Sequence, residues 1–141
     1  MLKDIITAAE NFCIHQIREG YSLCDENNKK RTLIAYIDIQ RDDSKKFRVY
    51  IAPDEGFAQR VSKLYLEEDE SDEETLKDMT LELANLIVGS AKVIAEEANI
   101  NPFTISTPNF EKIGDFDFEY DQMKIISVEN DKLIVAIKEI E

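Results

Sequence analysis

Between Glu73 and Ala98, apolar side chains recur at Leu76, Met79, Leu83, Leu86, Ile87, Ile94 and Ala98. Spacings of three and four build one broad apolar face, so the pattern predicts a long amphipathic helix. A first helix is predicted from Leu2, Ile5, Ile6, Ala9, Phe12, Cys13 and Ile17, ending near Gly20. Residues 25–31 are polar and read as a loop. Residues 32–40 and 46–52 are rich in Ile, Val, Phe and Tyr and read as two strands, turned into a hairpin at 41–45. Pro53 and Asp54 open a second helix with Phe57, Val61 and Leu64 on its inner face. Beyond Pro102 the pattern becomes β-rich, with strands predicted over 103–107, 116–120, 123–128 and 132–137. Glu129, Asn130 and Asp131 turn between the last two. The order predicts a single α/β sandwich of the α+β kind, helices packed on a mainly antiparallel sheet, as one domain over residues 1–141.

The polar side of the long helix carries the chemistry. At about 100° per residue, Asp78, Glu82, Asn85, Gly89, Lys92 and Glu96 form a narrow stripe opposite the apolar face. Glu82 and Asn85 point the same way, one turn apart. Gly89, a turn further on, costs roughly 1 kcal/mol against alanine in a helix interior, which points to close approach by another surface. A carboxylate can hold a lysine or arginine of a partner. A neutral amide offers donors and an acceptor with which to orient a water. Such a pair suits a substrate that is already reactive and lacks only a placed water, as an aspartyl phosphate does.

The full pattern is Asp78-x3-Glu82-x2-Asn85-x22-Pro108, expected by chance in roughly one chain in five hundred of this composition. It resembles the signature of the CheC/CheX/FliY family of chemotaxis phosphatases, and the order of elements is most similar to CheX. The resemblance implies an enzyme that hydrolyses the aspartyl phosphate of a CheY-like response regulator. It implies catalytic roles for Asn85, which would align the attacking water, and for Glu82, which would pair with a receiver lysine. Asp78 and Gly89 would lie on the partner-binding face. It also implies a homodimer with one site per chain, and no cofactor of the chain's own, since the Mg2+ of the reaction belongs to the receiver. A non-catalytic module that binds a receiver or a flagellar switch component on the same face is the alternative, and an accidental motif in an assembly protein is a third. Glu96 and Asn99 repeat the Glu-x-x-Asn step, but Lys92 and Gln122 stand where the acid and the proline belong.

Composition narrows the partners. The 141 residues carry 17 basic and 30 acidic side chains, a net charge of −13, which argues against nucleic acid and anionic membranes. Seven of the eight residues over 67–74 are acidic; they read as a solvated loop and helix start, with Ser71 and Glu74 in a capping-box pattern. No leader or membrane-spanning run is read at the start, so a cytoplasmic protein is expected. Cys13, His15 and Cys24 lack a fourth ligand for a structural zinc, so no metal site is predicted, and Cys13 reads as a buried small hydrophobe.

Overall fold

The computed structural model describes residues 2–17, 20–24, 31–41, 44–98 and 103–140. In chain order its elements are helix α1 (Leu2–Phe12) continued by a π-helical turn (Cys13–Ile17), strand β1 (Ser22–Cys24), β2 (Thr32–Arg41), β3 (Lys46–Pro53), helices α2 (Glu55–Leu66) and α3 (Glu73–Glu97), then β4 (Phe103–Ile105), β5 (Asn109–Gly114), β6 (Gln122–Val128) and β7 (Asp131–Glu139). The strands form one antiparallel sheet in the order β1-β6-β7-β3-β2-β4, with β5 also paired to β2. This is the α+β architecture expected from the pattern.

Strand alternation divides the core between the two faces of the sheet. Ala35, Ile37, Ile39, Val49, Ile51, Leu133 and Val135 point to the helical side, where they meet Phe57 and Val61 of α2 and Leu83, Ala84, Ile87 and Val88 of α3. Ile34, Tyr50, Ala52, Ile125, Ile134 and Ala136 point to the other side. Segment 115–120 covers that second face. Phe116 and Phe118 lie against Tyr50, with ring centroids at 5.3 and 4.9 Å.

That covering segment corrects the strand expected over 116–120. Phe116 and Phe118 turn down onto the sheet face, Tyr120 stays exposed at the edge of their ring cluster, and the backbone joins no ladder. The fifth strand lies instead at Asn109–Gly114, where Phe110 and Ile113 are spaced by three. A register shift between Ile34 and Ala35 sets Lys112 and Phe110 on consecutive partners and leaves Glu111 as the extra residue. The bulge returns Phe110 and Ile113 to one face, where both pack on Leu33, Ala58 and Leu76. Strand β1 has only three residues, too few to carry a readable pattern. The loop expected over 25–31 lies, except for Arg31, outside the described residues, as does Asn99.

The helix starts differ in detail from expectation. Asp54 caps α2 as predicted, its carboxylate accepting from the backbone of Phe57 at 2.8 Å and, through its second oxygen, from Lys132 at 2.9 Å. Gly56 in the first turn lies directly against the Asp131 carboxylate, which a Cβ at that position would force to shift. For α3 the cap is Asp72, accepting from the Thr75 backbone at 2.8 Å, and not Ser71. Ser71 is used to hold the acidic loop to α2: its N–H donates to Gln59 and its hydroxyl to Glu68. Leu64 is also not on the inner face of α2. It is exposed, along with Tyr65 and Leu66.

Candidate functional site

Helix α3 runs for 25 residues with Leu76, Thr80, Leu83, Ala84, Ile87, Val88, Ala91 and Ala95 buried, packed against α1, α2 and the sheet. Met79, Leu86 and Ile94 of the predicted face are only partly buried, and Ala98 at the end is exposed. Burying the small residues Ala84, Val88, Ala91 and Ala95 rotates the inward side away from a purely large-aliphatic stripe. Thr80 is tolerated there because its hydroxyl donates to the Leu76 carbonyl at 2.8 Å.

The helix consequently turns Asp78, Glu82 and Asn85 outward as exposed side chains, with Gly89 half-buried on the same stripe. Among the described residues, no hydrogen bond or ion pair ties down Asp78, Glu82 or Asn85. A Cβ placed on Gly89 meets no atom within 4 Å, so the protein's own packing does not demand the glycine. Further along, Lys92 faces Glu96 at 3.9 Å, so the second Glu-x-x-Asn step begins with a carboxylate already opposed by a cation.

Pro108 occupies the gap between β4 and β5, which run in line along the same edge of β2. Three residues, 106–108, oppose Ile37 and Asp38 there. Ser106 closes the gap with two bonds to Asp38, its N–H donating to the carbonyl at 2.8 Å and its hydroxyl accepting from the N–H at 3.0 Å. Proline, with no donor to offer, fits an interruption of a ladder. Pro108 thus sits at a structural position in the sheet, while Glu82 and Asn85 sit on a free helix face.

One feature beside the motif adds a residue to those predicted from the sequence. Tyr65, at the end of α2, is 42% exposed and stacks on Phe12 at 6.5 Å. Burial pushes its phenol above the ordinary value of 10.0, and the nearby Glu82 carboxylate adds to the rise. The apolar run Leu64-Tyr65-Leu66 was a signal, because a helix can bury only part of three consecutive apolar residues. Elsewhere, burial pushes the Cys13 thiol up to about 11, with Glu10 adding to it, which leaves an inert core residue. His15 is exposed. No group of three or more His, Cys, Asp or Glu among the described residues is placed to hold a metal ion. No described helix is long and apolar enough to cross a membrane.

Comparison with known proteins gives one family: that described as Chemotaxis phosphatase CheX matches residues 34–130. Among solved structures the chain is similar to the chemotaxis protein CheX of Vibrio vulnificus, with a TM-score of 0.78 and 16% identity over 96% of this chain and 95% of that one. It is similar to a chain of the CheX-CheY-BeF3-Mg complex of Borrelia burgdorferi, with a TM-score of 0.68 and 16% identity over 98% and 97%. The likeness to Thermotoga maritima FliY is weaker, with a TM-score of 0.53 and 14% identity over 97% and 84%. At these identities the structural matches show the fold. No curated protein matches the chain in sequence.

Proposed function

The chain belongs to the CheX family of chemotaxis phosphatases, and from that premise we propose that it hydrolyses the aspartyl phosphate of a CheY-type response regulator. The observation that carries this reading is the outward Glu82 and Asn85 pair on a rigid helix, within the complete Asp78, Glu82, Asn85 and Pro108 pattern. Asn85 enters the receiver's site and its carboxamide oxygen accepts from a water in line with the phosphorus. The water oxygen bonds to phosphorus as the bond to the receiver's aspartate breaks. The products are inorganic phosphate and a free carboxylate. Glu82 accepts from a receiver lysine and sets the depth and angle of entry. Mg2+ arrives with the receiver, so this chain contributes positioning and no metal.

The family's reaction needs no nucleophile from the phosphatase, which accords with a site of one acid and one amide. The homodimer and the cytoplasmic setting implied by the resemblance belong to the same proposal; light scattering of the purified chain tests the first. The decisive experiment is the lifetime of a radiolabelled CheY-type receiver from the same organism, with and without the protein. Acceleration that disappears in Asn85→Ala is the expected result, with a fall of about 100-fold in the catalysed rate. Acceleration that survives Asn85→Ala would remove the water-positioning role. Complex formation without acceleration would replace the reading by a binding module on the same face.

A further inference from the structure

A small groove opens beside the motif stripe. Its volume is about 180 Å³, with a floor of Ala8, Phe12 and Leu86 and a rim that includes His15, Tyr65 and Ser90. Ala8 and Phe12 are buried, so the floor is apolar, while the rim is polar and exposed. The π-helical turn that begins at Cys13 carries His15 to one side of it, and such turns commonly interrupt helices at functional surfaces.

The size limits the occupant. Small-molecule and cofactor sites usually enclose about 300–1,000 Å³, so this groove is too small for that class. It is nonetheless several times the share of one water, about 30 Å³. An apolar floor with a polar rim is what a single apolar side chain needs when its backbone neighbours remain hydrogen-bonded.

Position identifies where that side chain comes from. Leu86 follows Asn85 and Ser90 follows Gly89, so the groove lies along the adjoining row of the same helix. Tyr65 on the far rim is close enough to Glu82 to sense its charge. A specific protein interface covers about 800 Å² per partner, far more than two side chains present. A protein that buries Glu82 and Asn85 therefore also covers the mouth of the groove.

We propose that the groove between α1, the end of α2 and α3 seats one leucine- to phenylalanine-sized side chain of the phosphorylated receiver, with Tyr65 as the specificity-determining wall. This rests on the receiver being the partner of the Glu82 and Asn85 face. It separates two tasks: Asn85 acts on the water, and Tyr65 acts on which receiver is held.

The test measures affinity rather than turnover, so that it does not depend on catalysis. The probe is the CheY-type receiver of the same organism, held in its phosphorylated form by BeF3− and Mg2+, titrated calorimetrically. Ser90→Trp fills the groove from an exposed helix position, and Tyr65→Ala removes its wall. Each is expected to raise Kd about ten-fold, as loss of an interface anchor does, while Tyr65→Phe stays within about two-fold. Unchanged affinity in Ser90→Trp with an unchanged Tm overturns the proposal, and so does a wild-type chain that does not bind. If wild type binds and these variants bind weakly, but receiver decay is not accelerated, the groove stands and the phosphatase reading falls.

Discussion

On one side of α3, Leu83, Ala84, Ile87 and Val88 are sealed against α1 and the sheet; on the other, Asp78, Glu82 and Asn85 stand in solvent, one turn apart. The inner side is over-determined. Each residue there fills a space set by several elements, so its identity is accounted for by folding alone. The outer side is under-determined by the same measure, because nothing in the chain's own packing calls for an acid, an amide or a glycine at those positions. Residues that folding does not explain are the ones for which a partner is the natural explanation. That contrast, more than the motif as a string, separates Glu82 and Asn85 from Glu96, which already faces Lys92.

The comparison can be broken at either side. Leu83→Ala should have the largest effect on stability, about 2–5 kcal/mol by urea unfolding, since Leu83 is wholly buried and its site cannot collapse freely. A loss under 1 kcal/mol would show the inner side to be less tightly specified than its burial implies. Asn85→Ala should leave unfolding within about 0.5 kcal/mol of wild type while removing the accelerated decay of phosphoreceiver. A large drop in stability would make Asn85 a structural residue and erase the distinction.

Smaller effects sharpen it. Glu82→Gln should weaken receiver binding and flatten its salt dependence, because the lost contact is between charges. Gly89→Ala should stabilise the isolated protein by roughly 0.5–1 kcal/mol, the helix-interior cost of glycine, as the site has open space. The same variant should bind the receiver less well if a partner approaches there; a gain in stability with unchanged affinity would show that Gly89 is not read by the partner. The smallest effect concerns the start of the helix. The Asp72 carboxyl is held below its ordinary 3.8 by hydrogen bonds from Thr75, side chain and backbone. The stability it adds is full above 3.8 and lost as pH falls through the lower folded value, so wild type and Asp72→Asn should converge in Tm only in that acidic window.

The groove wall at Tyr65 lies between these two regimes. Its ring is partly committed to Phe12 and partly exposed beside Glu82. Tyr65→Ala should therefore cost some stability as well as affinity, which is why the exposed Ser90→Trp is the cleaner probe.

Much of this was legible in the order of residues. Local periodicity is a one-dimensional signal, so α3, the β2–β3 hairpin and the terminal β6–β7 pair were read to within a few residues. The polar stripe followed from the same helical geometry, and the family from the motif it carries. What the sequence could not decide were the features in which distant segments set one another's conformation. Alternation at Phe116, Phe118 and Tyr120 looks the same whether a segment pairs as a strand or lies across a sheet face; only Tyr50 and its neighbours, brought there by the other strands, settle it. The spacing of Phe110 and Ile113 makes sense only once the bulge opposite Ile34 and Ala35 is known. The cap of α3 passed from Ser71 to Asp72 because Gln59 and Glu68 claim Ser71 across the loop. The groove at Tyr65 was likewise invisible, since its walls come from α1, the end of α2 and α3, which meet only when the helices pack on the sheet. Sequence determined which faces are apolar and which residues could do chemistry; tertiary packing decided which of them are already occupied by the protein itself and which are left for something else.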